Sequence, residues 1–469
     1  MKSLRRSYWY ISLYFKRHAR YILGATIFGV LLFAVILPIL TRLPQVKTTR
    51  YIGVVGIYDF ASLPREMQEL MSRGLTKVNA DGSVSPDLAE RWTVEDNGKT
   101  YRFLLRKNIR WQDGKLLEPK DISFNFQDTQ IIVNENEIIF KLKDPFSPFP
   151  TVMSQPILRE VRASYLRFFM RNKIVGLGDY QITKTKYQDN RLEEIILDSV
   201  HDRLIYRFYV TEEKAKTAFQ HGQVDTLIDI SDISDFDTWK NISKTQTVHY
   251  DQYLAVFFNL NDPLFQKNIR QSLNYALEKT EGEERAKGPL NPKSWAYLDG
   301  VKSYEFDQAR ASERLIDELP QQPLHFTLTT IPRFQNDAER IKGQWEVFGQ
   351  QAVLDCQKNS AVKEKTLCDN LAVQVNLSIT NFPDTNSYQA LLVGQSIPSD
   401  PDQYFFWHST QNTNITHYSN PRIDVLLENG RKTTDQTERK AIYQEFQQFL
   451  LEDSPAVFMR HITGHMVER

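Results

Sequence analysis

Cysteine is almost missing from this chain. Cys356 and Cys368 are the only two among 469 residues, which leaves no room for a disulfide-rich scaffold, a four-cysteine zinc site or a C-x-x-C redox pair. Acid is missing from residues 1–58, which hold nine Lys and Arg. The remainder holds 49 Lys and Arg against 58 Asp and Glu, net −9, so a broad nucleic-acid surface is not expected. There is no Gly-x-Ser-x-Gly nucleophile elbow and no phosphate-binding glycine loop. His461 and His465 are four apart, but the Glu of a zinc-protease helix is absent and Val457-Phe458-Met459 reads as strand. The five aspartates between Asp225 and Asp237 lack the Gly and terminal Glu of a calcium hand and read as a solvated face. No catalytic residue, cofactor or metal site is expected, which points away from an enzyme.

What is present is an ordinary globular composition, 41% apolar and 25% charged, in a chain long enough for two or three domains. Tyr21 to Leu40 is a run of 20 residues without a charge. As a helix it would rise ~30 Å, the depth of the hydrocarbon core. Lys2, Arg5, Arg6, Lys16, Arg17 and Arg20 precede it, so the positive-inside rule keeps residues 1–20 in the cytoplasm and exports the chain beyond Arg42. Trp9, Tyr10, Tyr14 and Tyr21 suit the interface. No Ala-x-Ala site comes after Leu40, so residues 21–40 read as an uncleaved anchor in the lipid bilayer and 41–50 as a linker. In an oxidising exterior the spacing of Cys356 and Cys368 favours a structural disulfide over two buried thiols.

Beyond the linker, turn signals and apolar periods alternate. Tyr51 to Tyr58 reads as a strand, and Pro64 to Leu70 as a helix start. Arg91 to Val94 and Thr100 to Leu105 form a hairpin across Asp96-Asn97-Gly98, where Asn-Gly supplies the positive φ of a tight turn. Pro119 is expected to open a helix carrying Ile122 and Phe126, and Glu137 to Leu142 is a further strand. Gly74-Leu75-Thr76, Asp81-Gly82, Pro86-Asp87-Leu88-Ala89, Trp92, Trp111-Gln112-Asp113-Gly114 and Asp121-Ile122-Ser123-Phe124 succeed one another in an order that resembles the family 5 extracellular solute-binding proteins, the peptide, nickel and oligosaccharide receptors of ABC importers. Gly176-Leu177-Gly178-Asp179-Tyr180, Ala215 to Asp225, Tyr253 to Asn259 and Tyr418-Ser419-Asn420-Pro421 continue the resemblance to the C-terminus. Asp179 departs from the family's usual Pro.

The resemblance implies an α/β, two-lobed fold of the type II periplasmic-binding kind behind an N-terminal transmembrane helix. Lobe I is expected over 51–254, with a trimmed small domain at about 75–170, lobe II over 255–454, and a return to lobe I over 455–469. The hinge falls on Leu254, Ala255, Val256, Pro455 and Ala456. Peptide receptors of the family hold extended ligands by main-chain bonding and place an Asp against the ligand's α-ammonium. In Gly394-Gln395-Ser396-Ile397-Pro398-Ser399-Asp400-Pro401 that position falls on Ser396, so an ammonium is poorly provided for unless Asp400 or Asp402 reaches it. Arg73, beside Gly74 on the cleft edge, suggests a ligand bearing a carboxylate; the alternative places Arg73 in solvent and Ser396 at a strand end. The expected ligand-binding set is Arg73, Gly74, Tyr253, Phe257, Gln395, Ser396, Asp400 and Trp407. The implied role is capture of a peptide or other small solute outside the membrane and delivery to ABC permease subunits. A sensor or scaffold on the same fold is the alternative, and no nucleic-acid partner is expected.

Overall fold

The computed structural model describes the backbone of all residues except 1, 42–46, 125 and 167–168, and the side chains of all except 1–8, 10, 11, 22, 35–46, 125 and 162–172. The chain divides into two units, 1–49 with 200–203, and 50–199 with 204–469.

In the first unit one helix, Lys2–Thr41, takes in both the basic segment and the expected anchor. Trp9, Tyr14, Tyr21 and Phe28 on it are exposed. Among the described residues no helix is long and apolar enough to cross a membrane. Residues 35–40, the end of the expected span, lie outside the described side chains, and 42–46 of the linker lie outside the described residues.

The second unit is built on a ten-stranded sheet. Its strand order is Gln181–Gln188, Arg191–Asp198, Asp202–Tyr209, Thr48–Val55, Thr226–Ile230, Ala456–Glu468, Ser243–Phe258, Ala390–Ser396, Leu324–Thr330 and Val373–Ile379. Two long strands make the middle. Ser243–Phe258 and Ala456–Glu468 run antiparallel to each other from Ser243 opposite Glu468 to Phe257 opposite Ala456. At one end Thr226 and Ile230 pair with Glu468 and His465; at the other, Gln252 to Phe258 pair with Ser396 to Ala390. The two halves of the sheet thus meet through these two strands. Their ladder is irregular between His249 and Tyr253, and again between Leu254 and Ala255.

Residues 253–258 of the first long strand are buried on both faces, which explains their unbroken apolar run. Side chains alternate along a strand. Leu254, Val256 and Phe258 therefore enter a core with Trp345, Phe326 and Ile341, while Tyr253, Ala255 and Phe257 enter one with Trp407, Tyr443 and Phe446. The helix Gln335–Lys358 closes the first core, and Pro421–Lys432 with Gln436–Asp453 close the second. Cys356 and Cys368, 12 positions apart, are bonded beside the first core.

Residues 75–177 hold a separate core, in which Tyr101, Phe103, Phe140 and Phe149 pack under a four-stranded sheet of order Ala89–Glu95, Thr100–Leu105, Glu137–Leu142, Thr129–Val133. The hairpin turns where the sequence predicts, with Asn97 at φ 52° and Gly98 at φ 87°. The helix expected from Pro119 is instead one 3-10 turn, Pro119–Asp121, closed when Asp121 accepts from the Glu118 N–H. Ile122, Phe124 and Phe126 recur with period two, and all three pack on this core, so the chain leaves the turn extended.

Gln112 ties this small sheet domain to its neighbours. Its Nε2 donates to the carbonyls of Met71, Gly178 and Tyr180 at 3.1, 2.9 and 2.9 Å, and its Oε1 accepts from the Gly176 N–H at 3.0 Å. Gly176 permits that approach: a Cβ there would stand 2.0 Å from the Met71 carbonyl oxygen.

Candidate functional site

Three places gather polar groups of the kind a solute site would need. The first is the segment at Arg73 and Gly74, after the helix Arg65–Met71. A cavity of about 330 Å³ is lined there by Arg65, Ser72, Arg73, Lys77, Asp87 and Ser154. Gly74 is required sterically, because a Cβ would lie 2.5 Å from the Ser154 carbonyl carbon. Arg73 is paired with an acid: its Nε donates to Asp87 Oδ1 at 2.8 Å. Arg65 likewise donates to Glu69 at 2.8 Å and to Ser154 Oγ at 2.9 Å. A solute carboxylate would have to compete with Glu69 and Asp87 for these guanidinium groups.

The second place is the irregular ladder itself. His249 Nε2 lies 2.9 Å from Asp229 Oδ1. Asp229 has φ 59° inside the strand Thr226–Ile230 and marks a bulge against Ala456–Glu468. The hydrogen bond from His249 holds the Asp229 carboxyl below the usual range, and Asp229 raises the imidazole above its own. Gly464 makes room for the pair, since a Cβ would fall 2.0 Å from Asp229 Oδ1 and 3.0 Å from His249 Nε2. His461 and His465 sit on the strand Ala456–Glu468, where their Nδ1 atoms lie 2.9 and 3.2 Å from the carbonyls of Gln252 and Ile230. Among the described residues no group of three His, Cys, Asp or Glu could hold a metal ion.

The third place is the loop after the strand Ala390–Ser396. Asp400 is 7% exposed and accepts from Arg439 at 2.7 and 3.2 Å, and from Thr151 Oγ1 at 3.4 Å. Burial is the largest effect and works against the Arg439 cation, but Asp400 and Tyr443 together outweigh it and raise its pKa above the ordinary value. Asp402 accepts from Arg431 Nε at 3.0 Å and from the Tyr404 N–H at 3.1 Å. Burial raises the Asp402 carboxyl above the usual range, against the pull of Arg431. Neither carboxylate is left for an incoming ammonium.

The expected site residues therefore separate. Arg73 and Gly74 line one cavity, and Asp400 lines another. Ser396 is exposed and Gln395 half-buried at the strand end, where Gln395 pairs with Tyr253 through the backbone. Tyr253, Phe257 and Trp407 are each at most 2% exposed, in a core where Tyr253 meets Phe458 at 5.0 Å between ring centroids. Burial alone pushes the Tyr253 phenol far up. Of the expected hinge residues, Leu254 and Ala255 flank the second ladder irregularity, and Val256 lies in regular pairing with Leu392 and Val457. Ala456 pairs with Phe257, and the Pro455 carbonyl accepts from the Phe258 N–H at 3.2 Å. Sequence reasoning missed the His249–Asp229 pair and Arg439. No local pattern marks either, because the partners are 20 and 39 residues apart.

Comparison with known proteins fits this architecture. The model of the bacterial extracellular solute-binding proteins, family 5 Middle, matches residues 83–130 and 131–417. The oligopeptide-binding protein AppA of Bacillus subtilis is 23% identical over 90% of this chain and 88% of its own length. The probable D,D-dipeptide-binding periplasmic protein DdpA of Escherichia coli is 21% identical over 82% and 81%. Among solved structures, NikZ from Campylobacter jejuni in complex with Ni(L-His) superposes with a TM-score of 0.67 at 21% identity, covering 90% of this chain and 94% of that one. AppA from Bacillus subtilis in complex with a nonapeptide superposes with a TM-score of 0.63 at 18% identity, over 91% and 95%. These likenesses establish the α/β periplasmic-binding-protein fold. The chain belongs to the bacterial extracellular solute-binding proteins of family 5, a family that binds its solutes and does not transform them.

Proposed function

We propose that this protein is the membrane-anchored, extracytoplasmic substrate-binding component of an ABC importer, and that it captures a peptide or peptide-like solute by closure of two lobes. Lobe I is residues 51–254, with the small domain at about 75–170; lobe II is 255–454; residues 455–469 return to lobe I. The observation that carries the reading is the pair of long strands through which the two halves of the sheet meet. Such a connection lets the halves rotate about a short segment, as in hinge closure around a ligand. The relatives support the solute class, since peptide-binding proteins recur among them. The uncharged run from Tyr21 to Leu40, behind six cations, supports the anchor. A tether of this kind would keep the receptor at high effective concentration near its permease subunits.

The solute is one without a demanding α-ammonium. Asp400 and Asp402 are each held by an arginine, and Ser396 carries no charge. A buried ammonium without a counter-ion would lose several kcal/mol. The test is calorimetry with trialanine and its N-acetylated form. The acetylated peptide is expected to bind more tightly, and X-ray scattering is expected to show a smaller radius of gyration once it is bound. Sub-micromolar binding of trialanine, abolished by Asp400→Asn, would overturn the ammonium argument. A tight ligand that leaves the scattering unchanged would overturn lobe closure.

A further inference from the structure

The small sheet domain, inserted in the sequence of lobe I, is bonded to lobe II. The Trp295 N–H donates to the Asp81 carbonyl at 2.8 Å, and the Ser147 N–H donates to the Arg431 carbonyl at 2.7 Å. Ser147 Oγ donates to the Gly430 carbonyl at 2.9 Å, and the Arg431 guanidinium lies 5.0 Å from the Phe146 ring centroid. At Gly82, φ is 77° and a Cβ would stand 2.6 Å from the Ser399 carbonyl oxygen, so the turn is seated directly on the loop that carries Asp400. Between these contacts lies a cavity of about 200 Å³, walled by Trp92, Tyr101 and Thr151 on one side and by Trp295, Asp400 and Arg439 on the other.

We propose that this cavity is a specificity pocket that takes a planar, uncharged ring carried by the solute, such as the aromatic side chain of a peptide. The proposal rests on the reading of the protein as a solute receptor and deepens it. Size permits it, because a cavity of roughly 150 Å³ accepts a benzene ring. Shape favours it, because the half-buried rings of Trp92 and Trp295 line the cavity, with Tyr101 buried behind them, and a further ring can pack against the pair. Charge is excluded from both sides. Asp400 and Arg439 bond each other at 2.7 and 3.2 Å within the wall. Neither group is then left to pair an entering ion, which would lose its water without gaining a counter-charge. The Tyr101 hydroxyl is engaged with the Phe146 carbonyl at 2.9 Å, and burial pushes its pKa up to about 12, so the ring presents carbon and no charge. Because walls come from both the small domain and lobe II, the pocket is complete only when those parts are together.

The test uses the full chain labelled with 5-fluorotryptophan. Trp92→Phe and Trp295→Phe assign two of its seven tryptophan fluorine signals. The probes are N-acetyl-Phe-Ala and N-acetyl-Ala-Ala. The Trp92 and Trp295 signals are expected to shift with the first probe only, and calorimetry to show the second binding about tenfold more weakly. Trp295→Ala is expected to remove that tenfold preference. If both probes bind equally well, or the first binds with both signals unmoved, the pocket assignment falls while solute capture stands. If neither probe binds, both readings fall.

Discussion

Arg439 reaches from the helix Gln436–Asp453 to Asp400 and bonds both carboxylate oxygens, at 2.7 and 3.2 Å, with both side chains buried. This pair occupies the loop on which a ligand ammonium would otherwise be expected. Arg439→Met is expected to destabilise the protein by ~3 kcal/mol, because it strands a buried carboxylate. Asp400→Leu combined with Arg439→Met is expected to recover most of that loss, because no unpaired charge remains. Urea denaturation of the two single variants and the double variant measures the difference. A double variant as unstable as the sum of the singles would show that the pair is not the coupled unit described.

The His249–Asp229 pair makes stability depend on pH at both ends. His249 is raised above its ordinary 6.5, so its contribution is whole below that value and is lost as pH rises through the raised one. Asp229 is lowered below 3.8, so its contribution is whole above that value and is lost as pH falls through the lowered one. Asp251 and Glu66 add to the raising of His249, and Arg333 to the lowering of Asp229. The stability gap between the native protein and His249→Gln is therefore expected to be widest near pH 5 and to narrow toward about pH 9. Urea midpoints across that range are the measurement; a gap independent of pH would refute the coupling.

Gln112 is the fixing point of the small domain, with four hydrogen bonds to backbone groups of Met71, Gly176, Gly178 and Tyr180. Gln112→Ala leaves those groups without this partner. A loss of ~2 kcal/mol is expected. Hydrogen exchange should accelerate within residues 75–177 and remain unchanged in the helix Gln335–Lys358. Uniform acceleration across the chain would mean that Gln112 supports the whole protein and not this junction.

The bond between Cys356 and Cys368 ties the end of the helix Gln335–Lys358 to the turn Lys365–Leu371. Replacing both cysteines by alanine is expected to lower stability by ~3 kcal/mol, in line with closing a loop of this length in the unfolded chain. Denaturation under non-reducing conditions checks it. A variant of unchanged stability would indicate that the unfolded segment is already constrained by local structure.

Much of the architecture was legible because it is written in local periods. The unbroken apolar run of Tyr253 to Phe258 and the Asn97-Gly98 turn each specify an element without reference to the rest of the chain. The Pro119 segment shows the limit. Proline is compatible with a helix start, but Ile122, Phe124 and Phe126 all reach one core only if the chain is extended.

By itself, the sequence determined several strands and turns and the order of motifs that marks the family. Tertiary structure alone decided which core each side chain enters and which charges pair. Strand periodicity tells two faces apart, but when both are buried, as along Tyr253 to Phe258, it cannot say which core each face enters. Pairing of charges is likewise invisible in one dimension. Asp400 looks available in the sequence, and it becomes unavailable only because folding brings Arg439 from another helix within hydrogen-bonding distance, where the loss of water makes the pairing obligatory.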